Sequence, residues 1–162
     1  MVTTKKELDN ILFGIGIDSM NRFECFYNLR SDLSPTLYWY GLRAAYENSD
    51  NLYLHAQNAR DCFMSMQPQR ELLMLKRERT FIDKLTDIVT IYRGMTKEEA
   101  DSSKYGMSWS LSRKTADFFI NTYRRNIDTA HLSKCIKQME IPKTQIIAYW
   151  NTRKEKEIIY LG

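Results

Sequence analysis

Residues that bind metals or form cross-links are scarce in this sequence. Its 162 residues include three cysteines, Cys25, Cys62 and Cys135, and two histidines, His55 and His131. The cysteines are odd in number, widely separated and form no CxxC pair, which speaks against a disulfide framework and a zinc site. The histidines add too few ligands for a metal cluster. No metal is therefore expected, and three reduced, buried thiols fit a cytoplasmic setting. Long apolar runs are also missing. No stretch is long enough to span a bilayer, and Met1 to Glu7 lacks the apolar core of a secretion signal. There is no repeat, low-complexity tract or linker. The net charge of +4 is mild, and basic residues cluster only at Lys76-Arg77-Glu78-Arg79 and Arg124-Arg125. Such a surface can attract an acidic partner, yet it falls short of the stripe of a dedicated nucleic-acid binder.

What is present suits one soluble domain over residues 1–162. Hydrophobic residues make up 43% and charged residues 27%, ordinary for a globular chain with no room for a second sizeable core. Residues 1–87 read as mainly helical. Thr4 and Glu7 make a capping-box pattern before Leu8, Ile11, Leu12 and Ile15, so a first helix is expected to end near Asp18. Ser34-Pro35 opens another, carrying Leu37, Tyr40 and Ala44 on one side. A third is expected from about Asn51 to Met66. After Pro68 a fourth places Leu72, Leu75, Ile82 and Leu85 on a common face. Met64, Met66 and Met74 are expected to fill irregular core space.

From residue 88 to 162 the pattern turns to strands. Ile88-Val89-Thr90-Ile91-Tyr92 is β-branched and short. Thr96 and Glu99 cap a brief helix, and 105–111 reads as extended. Ser112 caps a helix with Ala116, Phe119, Ile120 and Tyr123 at helical spacing. Residues 135–141, 146–149 and 157–161 follow as strands. The two parts are expected to share one core as an α+β domain, a sheet-based part preceded by a helical layer.

Three triplets stand beside those strands: Tyr92-Arg93-Gly94, Ser108-Trp109-Ser110 and Glu155-Lys156-Glu157. Arg93 offers a permanently charged fork that can hold a pyrophosphate, and Gly94 admits a ligand close to the backbone. Ser108 and Ser110, if extended, share a face and can orient a carboxylate and a ribose, with Trp109 turned the other way. Glu155 and Glu157, on a strand, would lie about 6.6 Å apart on one face. Singly, each triplet also reads as an ordinary strand end, a polar edge strand or a solvated run of alternating charge.

In this order the triplets resemble the arginine–serine–glutamate signature of mono-ADP-ribosyltransferases of the arginine-specific, toxin-like type. The stretch Tyr105-Gly106-Met107-Ser108-Trp109-Ser110-Leu111 is similar to the family's aromatic-x-Ser-Thr-Ser phrase, with Trp109 where threonine is usual. Glu155-Lys156-Glu157-Ile158-Ile159 is similar to its E-x-E followed by an apolar strand. The resemblance covers roughly residues 88–162 and implies an ADP-ribosyltransferase-like mixed or antiparallel sheet.

It further implies NAD as co-substrate and a protein acceptor, with arginine as the expected target. Arg93 would bind NAD phosphates or the nicotinamide-side ribose, and Gly94 the carboxamide through its backbone. Ser108 would hold Glu157, Ser110 would shape the pocket, and Phe118, Phe119 or Tyr123 could wall it. Glu157 would bond the ribose 2′-hydroxyl and stabilise the oxocarbenium-like cation, a problem glycosidases solve with paired carboxylates. Glu155 would orient or deprotonate the acceptor. The short turn from Trp150 to Lys154 lies where the family's target-recognition loop lies. A small enzyme without a secretion signal fits action inside the producing cell, as a phage or mobile-element effector on a host protein would.

Two rivals stand beside this reading. One is a catalytically inactive protein of the same fold that grips a macromolecule. The other is a nucleic-acid contact through Lys76, Arg77, Arg79, Arg124 and Arg125. Tyr38-Trp39-Tyr40 with Arg43 could stack a base, but on a helix it reads better as packing.

Overall fold

The computed structural model describes residues 2–122 and 131–162. Within them the chain is α+β and forms two compact units, Met1–Leu73 and Met74–Gly162. Tyr123, Arg124 and Arg125 fall outside the described residues.

The first unit is helical. Helix α1, Lys5–Leu12, opens on the expected capping box: the Glu7 N–H donates to the Thr4 hydroxyl at 3.2 Å, and the Glu7 carboxylate accepts from the Thr4 N–H at 3.1 Å. It stops at Leu12 instead of continuing toward Asp18. Gly14 and Gly16 withdraw helix propensity there, Gly16 adopts a φ of +85°, and Ile15 is fully exposed. Helix α2, Arg22–Leu29, was not anticipated: no side-chain cap announces it, although Phe23 and Phe26 bury one face. Helix α3, Pro35–Glu47, starts where Ser34 accepts from the Leu37 N–H.

Two expectations about packing in this unit are corrected. The stripe on α3 is not Leu37, Tyr40 and Ala44. Leu37, Tyr38, Trp39, Leu42, Ala45 and Tyr46 are buried, whereas Tyr40 and Ala44 are half-buried. α3 packs against α1 and α2 together, so its apolar surface wraps most of its circumference and the period does not select a stripe. Helix α4 is only Ala56–Phe63, and Met64 and Met66 beyond its end are exposed, not core-filling.

In the second unit the single helix expected after Pro68 is broken. A 3₁₀ turn, Arg70–Leu73, ends the first unit, and α5, Lys76–Asp83, begins the second. Met74, Ile82 and Leu85 pack against the sheet core. The strands are β1, Ile88–Thr96; β2, Ser108–Ser110; β3, Lys134–Pro142; β4, Ala148–Trp150; and β5, Glu157–Ile159. They form an antiparallel sheet in the order β3-β1-β2-β5-β4. The long β1–β3 pair, in register from Ile88↔Pro142 to Thr96↔Lys134, anchors it.

One face of the sheet carries the core. Val89, Ile91 and Met95 of β1 join Trp109, Ile141, Tyr149 and Ile158 there. Burying aliphatic side chains of this size stabilises by about 1.5–3 kcal/mol each. Directly opposed residues share a face, so Tyr92, Ser110, Glu157 and Trp150 form a row across the other face. Helix α6, Lys97–Ser102, starts at the expected Thr96 cap. Helix α7, Arg113–Asn121, starts at Ser112, whose hydroxyl accepts from the Thr115 N–H, and packs on β1. Gly94 permits that contact: a Cβ there would stand 2.5 Å from both the Ala116 carbonyl oxygen and Ile120 Cγ2.

Candidate active site

Strands β2 and β5 bring Ser108 and Glu157 together. Their registers set Ser108 opposite Ile159 and Ser110 opposite Glu157, so the Ser108 side chain is diagonal to Glu157 on the shared face. The Ser108 hydroxyl donates to Glu157 Oε1 at 2.8 Å. Glu157 is only 12% exposed at its side chain. A hydroxyl donating to a carboxylate in such a place fixes the acid's direction and offsets part of its lost hydration.

Glu155 reaches the same place by a different route from the one expected. β5 begins at Glu157, and Glu155 lies in the turn before it, between Lys154 and Lys156, which hold φ of 62° and 49°. Strand alternation therefore does not align the two acids. A pinned turn does. The Lys156 N–H donates to Asn151 Oδ1 at 3.1 Å, and the Lys154 N–H to the Asn151 carbonyl at 3.2 Å. The Ser110 hydroxyl donates to the Glu155 carbonyl at 2.7 Å and accepts from the Ser112 N–H at 3.0 Å. Ser110 is buried, so its hydroxyl serves the turn and the start of α7.

Arg153, in that turn, touches both carboxylates. Its Nη2 is 3.1 Å from Glu155 Oε2 and 3.7 Å from Glu157 Oε2. Two like charges converging on one guanidinium gain an attraction that offsets their mutual repulsion.

Arg93 does not join this pair: it lies on the other side of the sheet. The β1 register groups it with Ile91 and Met95, on the face opposite Tyr92, Ser110 and Glu157. Its Nε donates to Glu99 Oε1 at 2.8 Å and its Nη1 to the Ser108 carbonyl at 2.8 Å. The guanidinium thus ties β1 to β2 where their pairing is limited to Tyr92↔Ser110. Glu99 Oε1 also accepts from the Gly106 N–H at 2.8 Å. A Cβ at Gly106 would collide with the guanidinium, at 2.3 Å from Arg93 Nη2. Gly94 is occupied on its open side by α7, so its missing Cβ serves helix packing. Phe118 on α7 is 45% exposed, edge-on to Phe119 with centroids 5.7 Å apart.

Sequence reasoning passed over several residues that build this place. Glu99 was read as a helix-start residue, but its carboxylate binds Arg93 and Gly106. Arg153 falls in the turn expected at the target-recognition position, but nothing in its spacing announces its contact with both carboxylates. Glu78, 2% exposed, accepts from the Leu75 N–H at 2.8 Å and from the Asn151 N–H at 3.2 Å, pinning the first residue of the turn. Its only signal was an acid three residues after a helix start. Burial pushes the nearby Tyr149 hydroxyl above its ordinary pKa, and the Glu78 charge adds to that rise.

Among the described residues no group of three or more His, Cys, Asp or Glu side chains is placed to hold a metal ion. No helix among them is long and apolar enough to cross a membrane. Compared with family models, curated proteins and solved structures, the chain gave no match.

Proposed function

We propose that the chain is an NAD-dependent mono-ADP-ribosyltransferase of an ADP-ribosyltransferase-like fold, with arginine on a protein as the acceptor. The observation that supports this most is the 2.8 Å bond from the Ser108 hydroxyl to Glu157, beside a second carboxylate, Glu155, that meets the same guanidinium. In the reaction the ribose C1–nicotinamide N1 bond breaks, and its electron pair leaves with nicotinamide. A guanidino nitrogen of the acceptor forms the new bond to C1, and its proton passes to Glu155 and then to water. Glu157, held by Ser108, stabilises the positive charge that builds on the ribose, an effect worth several kcal/mol when the acid is fixed beforehand. The test is nicotinamide release and labelling from NAD. Purified protein is expected to show both, and Glu157→Gln to lose at least a hundredfold. Full activity in that variant removes Glu157 from the role.

A second reading draws on Arg93. Two of its donors are spent on Glu99 and the Ser108 carbonyl, which favours a structural tie over a phosphate clamp. On this reading the chain keeps the arrangement without turnover and binds a macromolecule. Calorimetry separates the two: no heat of NAD binding at millimolar concentration selects the second.

A further inference from the structure

We propose that Arg153 is an internal competitor for the acceptor position, a specificity-determining residue that favours arginines presented on a protein over small free guanidines. The inference rests on the reading of Glu155 and Glu157 as the acceptor-facing pair. Arg153 Nη2 stands 3.1 Å from one carboxylate and 3.7 Å from the other. A planar cationic fork engages facing carboxylate oxygens directionally. An incoming guanidinium therefore has to take the place Arg153 already holds.

The turn keeps that occupant close by. Asn151 closes it through its carbonyl and its side chain, and Ser110 holds the Glu155 carbonyl. A tethered group competes at a high effective concentration. The hold is nevertheless light, since Arg153 is 47% exposed and exposed ion pairs are weak and screened by salt. A small guanidine exchanges one ion pair for an equivalent one and gains little. An arginine on a protein brings additional contacts to the exposed turn residues Thr152 and Lys154, and these tip the exchange.

The test is steady-state transfer from NAD to a simple alkylguanidine, comparing the wild type with Arg153→Ala and Arg153→Lys. KM for the alkylguanidine is expected to fall about two- to fivefold in R153A, the scale of one exposed ion pair, with a smaller change in kcat. R153K keeps the charge without the fork and should lie between the two. KM for NAD, measured in the same runs, shows whether any change is confined to the acceptor. An unchanged or higher alkylguanidine KM in R153A, with turnover intact, overturns the proposal. If neither wild type nor R153A releases nicotinamide, the enzymatic reading itself has failed and this inference falls with it. Turnover in R153A alone would support it in its strongest form.

Discussion

Ser108 serves with two different atoms. Its hydroxyl donates to Glu157, while its carbonyl accepts from Arg93. Ser108→Ala removes the first bond and leaves the second. Hydrogen bonds to charged groups contribute about 1.5–3 kcal/mol to stability, so the melting temperature should drop by several degrees, and nicotinamide release per folded molecule should fall roughly tenfold or more. A wild-type rate in this variant would mean that Glu157 is oriented by other contacts. At this scale much was readable from sequence: two serines with a tryptophan between them, and Trp109 is indeed buried, with its indole N–H on the Gly106 carbonyl at 3.0 Å. The partners of Arg93 were not readable. They depend on how far β1 and β2 splay, a property of the folded sheet that no local pattern encodes.

Elements with a chemical start signal were the ones sequence could locate. Thr4, Ser34, Thr96 and Ser112 each accept the backbone N–H expected of a cap, because a cap is a bond between near neighbours. α2 has no such bond at its start, and it went unseen. The turn before β5 is the other case. Its shape depends on Glu78, more than seventy residues away in the chain. Glu78→Gln replaces an acceptor of two backbone N–H groups by an amide that must point one donor at a donor. The expected cost is about 1–3 kcal/mol, read as a lower urea midpoint. A drop in transferase rate beyond the change in folded fraction should accompany it, since Asn151 would lose its anchor. An unchanged midpoint would show that Glu78 is dispensable.

Across the whole molecule, fold class was legible and strand order was not. Helical spacing gave way to β-branched runs near residue 88, but the order β3-β1-β2-β5-β4 follows from pairings between distant segments. The division of the chain after Leu73 was equally hidden. Sequence placed the change of pattern near residue 87, whereas Met74 and Ile82 already pack against the sheet core.

Alkaline pH provides a test at the same scale. Burial raises the Tyr38 and Tyr40 hydroxyls to about 12, and for Tyr40 the hydrogen bond to Asp9 and its charge add to this. Both folded values exceed the ordinary one, so the fold favours the protonated form. That contribution is complete below about pH 10 and is lost as pH rises toward about 12. Urea midpoints followed by circular dichroism should decline through that window. In Tyr40→Phe the decline should be shallower, from a lower starting stability. An equal slope would place the alkaline loss elsewhere.

The bonds that Arg93 makes to Glu99 and Ser108 carry one last consequence, for anyone assaying the protein. An inactive Arg93 variant cannot by itself be counted in favour of NAD chemistry, because deleting that side chain also unfastens two neighbouring strands. Its failure would confound architecture with catalysis unless thermal melts were run alongside.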